Sequence, residues 1–316
     1  MHDLAIITIS TNEGHWLRPC LSTIFARQGD ISLDVVVADN MSTDSTRELV
    51  ETEFPEARVV TCANHGFSHA NNRGLMTTDA RWVLFINPDT EIVDGTFADL
   101  LREADARPDV GLIGVRQVLP DGTLHPTVRY FPNALRALGD ALRSERWPAR
   151  SRHLGEREID LSRYERELEC DWTSGSFLLA RREALESSGF MDERFFIYSE
   201  ETDLCVRIKK AGWRIVHLPS MTIIHHADKA GVRAKIVAQD VYTRMQYARK
   251  HFSPGHRLLY WLALVLKFGL RAMLPPAKEP EERQRLRDAY RFALETLAGR
   301  RGAPYEHPPP VAVRTR

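Results

Sequence analysis

Leu4-Ala-Ile-Ile-Thr-Ile9, which runs into Ser10-Thr11-Asn12, and Val35-Val-Val-Ala38, which runs into Asp39-Asn40, decide the fold. Each is a continuous apolar run that stops in small polar residues. A strand that is apolar on both faces must be covered on both faces, the condition of a parallel sheet between helices. Further runs of this kind stand at 57–61, 82–86 and 110–115, with helical patterns near 15–27, 43–53, 67–78 and 94–106. The alternation predicts an α/β fold with a mixed, mainly parallel sheet flanked by helices. Ligands of such sheets bind outside the carboxyl ends of the strands. The first site candidates are therefore Ser10-Thr11, Asp39-Asn40 and Asn87-Pro88-Asp89.

The 316 residues carry 43 basic and 43 acidic side chains, but the halves of that zero differ. Residues 1–228 hold 25 Lys and Arg against 36 Asp and Glu, and residues 229–316 hold 18 against 7. An acidic body with a basic tail points to an anionic neighbour for the tail. Four scattered cysteines, with no Cys-x-x-Cys pair, argue against a zinc ribbon or a disulfide framework and fit a reducing, cytoplasmic compartment. The start of the chain lacks the charged region and cleavage site of a signal peptide.

Working outward, the Asp39-Asn40-x-Ser42-x-Asp44-x-Thr46 segment offers a carboxylate that can accept the imide N–H of uracil or thymine. It reads equally as a strand-to-helix cap. Asn64-x-Gly66-Phe67-x-x-Ala70-x-Asn72-x-Gly74 combines two amides with two glycines suited to close backbone approach. Asp89 ends an apolar strand and suits a divalent cation held by one carboxylate and substrate phosphates. Residues 119–126 read as a turn between two strands, and 133–168 as a helical or loop insertion. The longest motif contains Trp172, Gly175 and Glu200-Glu201-Thr-Asp203, three acids within four residues, as expected of general-base or metal work. Glu200, Asp203 and Arg207 share a helical face, so Asp203 and Arg207 also read as an ion pair. His225-His226 closes a Thr-Ile-Ile strand and offers a metal ligand beside Asp89.

The order and spacing of these segments resemble the inverting glycosyltransferases of family 2 with the GT-A fold, and within them the bacterial rhamnosyltransferase-like branch. The resemblance runs from about Leu4 to His226. It implies a catalytic domain over 1–228, with a nucleotide-binding half (1–118) and an acceptor half (119–228). It also implies that Asp39 holds the donor base, with Ser10, Thr11, Asn40, Ser42, Asn64, Asn72 and Asn87 around the nucleotide-diphosphate sugar, and Trp172 and Gly175 at the acceptor pocket. Asp89 fills the metal position of the Asp-x-Asp motif, whose first Asp is Asn87 here, and the metal is Mg²⁺ or Mn²⁺. Glu201 stands where the family has its catalytic Asp, with Asp203 and Glu200 in reserve. His225 aligns best as the further metal ligand, with His226 as competitor, and Lys229 is a candidate clamp on the diphosphate. The acceptor implied is a glycan, often lipid-linked. A non-catalytic nucleotide-sugar binder is the alternative, because Glu replaces Asp and the Gly and Ser expected after His225 are missing. A dinucleotide oxidoreductase is excluded, since no Gly-x-Gly-x-x-Gly turn follows the first strand.

Residues 229–303 form a basic helical extension, and 304–316 a disordered tail. The apolar stretch 258–274 is short for a span, and Lys267 and Arg271 would each cost about 2.5–3.5 kcal/mol near a bilayer centre. Two readings follow: a helix packed on the catalytic domain or a partner chain, as in a homo-oligomer, or one lying in a membrane surface. The cations of 244–287 favour the latter, at the inner face of the cytoplasmic membrane. Nucleic acid is excluded, because stacking aromatics are not interleaved with the basic residues.

Overall fold

The computed structural model describes residues 1–142, 151–226 and 234–305. These divide into two compact units: Met1–Arg129 with Asp160–Glu193 and Glu201–Asp228, and Tyr130–Ile159 with Arg194–Glu200 and Lys229–Arg316. Lys229 and residues 306–316 of the expected tail lie outside the described residues.

The first unit is built on one sheet. Its strands are β1 (Leu4–Ser10), β2 (Leu33–Asp39), β3 (Ala57–Thr61), β4 (Trp82–Ile86), β5 (Thr90–Asp94), β6 (Val110–Val118), β7 (Leu168–Glu169), β8 (Phe177–Arg181) and β9 (Arg214–His225). The order is β3-β2-β1-β4-β8-β6-β9-β5, with β7 on β9. Every residue of β1 is buried, as a strand covered on both faces requires. The run β3-β2-β1-β4 is parallel. Antiparallel pairing enters with β8, which joins β4 to β6, and with β5 on β9. The turn expected at 119–126 is present, with the Gly122 N–H donating to Leu119 O, and the strand expected after it is reduced to a bridge between Val118 and Leu124. Pro120 and Pro126 have no N–H to extend a ladder.

The helices of this unit are α1 (Gly14–Ala26), α2 (Thr46–Glu53), α3 (Phe67–Leu75), α4 (Phe97–Asp105), α7 (Arg182–Ser188) and α8 (Glu200–Lys210), and those of the second are α5 (Ala134–Ala141), α6 (Ser151–Leu154), α9 (Ala234–His251), α10 (Pro254–Met273) and α11 (Pro280–Leu297). α1 buries Leu17, Cys20, Leu21 and Ile24, one stripe at helical spacing that completes the core over β1 and β4. All four cysteines are buried and free.

The second unit has its own core, in which Val241, Tyr260, Leu264, Phe268, Leu286 and Tyr290 meet. α10 therefore packs along one face, while Leu258, Leu259, Leu262 and Leu266 stay exposed on another. Arg244, read as a cation facing an anionic surface, is internal, 2.9 Å from Glu156, and Lys267 is internal too, its Nζ 2.9 Å from Asp140. No helix among the described residues is long and apolar enough to cross a membrane.

Candidate active site

Parallel register gathers the nucleotide candidates. Ser10 pairs with Asp39 and Asp39 with Thr61, so the ends of β1, β2 and β3 form one row. Ser10, Asp39 and Asn40 are buried there, while Thr11 and Asn64 are exposed and Ser42 is half-buried. The Ser10 hydroxyl has no hydrogen-bond partner among the described residues. Asp39 accepts the Ser42 N–H at 3.1 Å through Oδ1. The loop after β1 is clasped to the loop after β2: Asn12, at φ 59°, accepts the Thr43 and Asp44 N–H groups and donates its own to Ser42 Oγ. Ser42 thus holds a loop and caps no helix, since α2 opens only at Thr46. Asn40 Oδ1 accepts from Cys62 Sγ at 3.2 Å. Burial, then the Asp39 charge, push that thiol up to about 11, so it remains a neutral donor.

Asn72 is engaged by protein. Its amide nitrogen donates to Met191 O and Glu193 Oε1, and its oxygen accepts the Met191 N–H. Glu193 also reaches His69 Nδ1 at 2.9 Å. These side chains tie α3 to residues 191–193, a strut the sequence reading did not foresee. Glu193 carried no periodic signal and lies 121 residues from Asn72.

Antiparallel pairing makes the second cluster. Thr90 opens β5 opposite His225, the last residue of β9, which sets Asp89 beside His225-His226. Asp89 Oδ1 lies 3.4 Å from His225 Nε2. His226 turns to Glu91, 2.6 Å away, and packs on Trp16, so His225 is the imidazole that reaches Asp89. His125 stacks on His225 with centroids 5.9 Å apart. Neither Trp16 nor His125 was singled out by sequence, because only tertiary pairing puts them there. Two ligands at about 2.1 Å from one octahedral cation stand about 3 Å apart, so the Asp89–His225 pair fits Mg²⁺ or Mn²⁺. Among the described residues no third His, Cys, Asp or Glu joins the pair.

The two clusters are linked to the acid motif through β4 and β8. Ile86 pairs with Phe177, and the Asn87 N–H donates to Ser176 O at 3.1 Å. Ser176 Oγ donates to buried Gln117. Next to Ser176, Gly175 faces Glu201: a Cβ at that glycine would lie 3.9 Å from the Glu201 side chain. Trp172 is buried, with the Arg129 guanidinium over its ring. Asp203, fully buried, grips Arg207 at 2.8 Å. Glu200 is buried too, whereas Glu201 is only partly so. α8 is entered through Tyr198 and Ser199 at φ 72° and 66°, a region L-residues seldom adopt.

The family model for glycosyl transferase family 2 matches residues 5–187. The chain belongs to glycosyl transferase family 2. It is 31% identical over 313 residues to the N-acetylglucosaminyl-diphospho-decaprenol L-rhamnosyltransferase of Mycobacterium tuberculosis, covering 94% of this chain and 98% of the relative. It is 23% identical to the rhamnosyltransferase WbbL of Escherichia coli, over 70% of this chain and 83% of that one. Among solved structures it is similar to GalNAc-T7 with UDP, GalNAc and Mn²⁺ (TM-score 0.61, 12% identity, 95% of this chain and 57% of that one). It is also similar to Staphylococcus aureus TarS 1–349 with UDP-GlcNAc (TM-score 0.53, 15% identity, 94% and 82%). The fold is GT-A, and this family 2 member is a glycosyltransferase, which sets aside the non-catalytic binder.

Proposed function

We propose that this glycosyltransferase moves L-rhamnose, with inversion, from a thymidine diphosphate donor to a hydroxyl of N-acetylglucosamine carried on a polyprenyl diphosphate. The sugar and acceptor follow the name of the Mycobacterium relative. The observation that carries the chemistry is the convergence of Asp89 on His225, in a sheet whose neighbouring strand ends present Ser10 and Asp39. Asp39 accepts the imide N–H of the base, and Ser10 and Thr11 line the nucleotide. Asp89 and His225 would hold Mg²⁺ or Mn²⁺, a Lewis acid that would supply positive charge to the leaving diphosphate. Glu201 takes the proton of the acceptor hydroxyl as that oxygen attacks the anomeric carbon from the face opposite the diphosphate. Trp172 and Gly175 shape the acceptor side, Gly175 standing against the Glu201 side chain with no side chain of its own.

The test is transfer from dTDP-rhamnose to a short-chain N-acetylglucosaminyl diphospholipid with Mg²⁺ or Mn²⁺, followed by mass spectrometry. A general base contributes about 10²–10⁴ in rate, so Glu201→Gln is expected to lose activity in that range. Asp89→Ala is expected to abolish turnover. Full activity in both variants overturns the site assignment, and turnover only with another donor overturns the sugar.

A further inference from the structure

The second unit carries an apolar surface that its own core does not use. On α10 the exposed positions are Pro254, Gly255, Leu258, Leu259, Leu262, Leu266 and Met273, uninterrupted by a charged side chain. The four leucines are 41–59% exposed. α5 runs beside α10 in the same direction, for Ala134 N donates to His256 Nε2 and Asp140 binds Lys267. With 100° between successive residues, these contacts turn the exposed Leu135, Leu138 and Leu142 to the side that bears the α10 leucines. Two rows of leucine form one exposed apolar face, larger in kind than the scattered apolar residues of an ordinary surface.

The segment that carries α10 has one sign. Residues 241–278 contain seven Lys and Arg and no Asp or Glu. Three of the seven bracket the stripe without a carboxylate partner among the described residues: Arg257 in the first turn of α10, Arg271 in the last, and Lys278 beyond it. Arg249 and Arg257 line a cavity of about 440 Å³ with Trp261 and Met245, a place for a phosphate with an apolar neighbour. Paired face to face, two copies of this chain would set these cations against each other. A bilayer with anionic lipids satisfies leucines and cations together.

We infer that the α5–α10 leucine face docks on the surface of an anionic membrane, with α10 lying in the headgroup boundary. This deepens the reading of a lipid-linked acceptor and rests on it for its purpose. The test is flotation of the full chain with vesicles of phosphatidylcholine alone or mixed with phosphatidylglycerol, beside transfer to the short-chain acceptor. The wild type is expected to float with the mixed vesicles and to be released by salt. Leu258→Gln/Leu262→Gln/Leu266→Gln removes three buried leucines from the contact and is expected to cut binding at least about tenfold, with short-chain transfer unchanged. Gln keeps the helix propensity of these surface positions. Arg257→Gln/Lys278→Gln is expected to remove the preference for phosphatidylglycerol. The proposal is overturned if the wild type floats with neither vesicle, if the leucine variant floats like wild type, or if the wild type sediments as a dimer that the leucine variant dissociates. Flotation without short-chain transfer by the wild type overturns the acceptor reading alone.

Discussion

Glu201 and Asp203 are neighbours in sequence with opposite environments. Asp203 is wholly buried and paired with Arg207 at 2.8 Å, whereas Glu201 lies over Gly175. Removing one partner of a buried ion pair leaves an uncompensated charge and costs about 3–5 kcal/mol. Asp203→Ala is therefore expected to lower the unfolding free energy, read from urea titration, by that amount. Glu201→Gln, which should slow turnover about 10²–10⁴-fold, is expected to leave the unfolding free energy within about 0.5 kcal/mol of wild type. The i, i+4 spacing already allowed the Asp203–Arg207 pair to be read. That it is buried was not legible, because burial depends on segments far away in the chain. Asn72 makes the same point: its amide looked free for a ligand and is spent on Met191 and Glu193.

At the level of elements, the glycines of the Asn64–Gly74 motif have separate tasks. Gly66 precedes α3 at φ 96°, where an L side chain is strained. Gly74 lets α3 lie on β1: a Cβ there would stand 2.7 Å from Ile7 Cγ2. Gly74→Ala must push the helix from the sheet or the isoleucine from its rotamer, with an expected loss of about 1–3 kcal/mol, read from thermal or urea unfolding. The strands β1 and β4 were readable from the sequence because buried parallel strands are unbroken apolar runs. β5 was not, since Thr90-Glu-Ile-Val-Asp94 is short and half polar. It exists by pairing with β9, and that pairing is what brings Asp89 to His225.

For the whole molecule, acid is the informative variable. His217 is fully buried on β9, and burial pushes its pKa down to about 4. In the unfolded chain the imidazole titrates near about 6.5. Between these values the unfolded state binds the extra proton, so the contribution is complete above pH 6.5 and is lost as pH falls toward 4. The loss amounts to about 3 kcal/mol. Urea midpoints at pH 7 and 4.5 should show the drop, and His217→Gln should flatten it. The division of charge into an acidic body and a basic tail gains a similar structural meaning: part of the tail's cations are internal struts, Arg244 and Lys267 among them, and the rest surround the leucine face. The sequence by itself determined the α/β alternation, the strand-end location of the polar residues and the family, because these depend on local periodicity and ordered motifs. Tertiary structure alone decided which histidine meets Asp89, which acids of the Glu-Glu-Thr-Asp run are buried and which face of α10 is left uncovered. Each of these is fixed by long-range pairing and packing, and a linear pattern specifies a side chain's type without its neighbours.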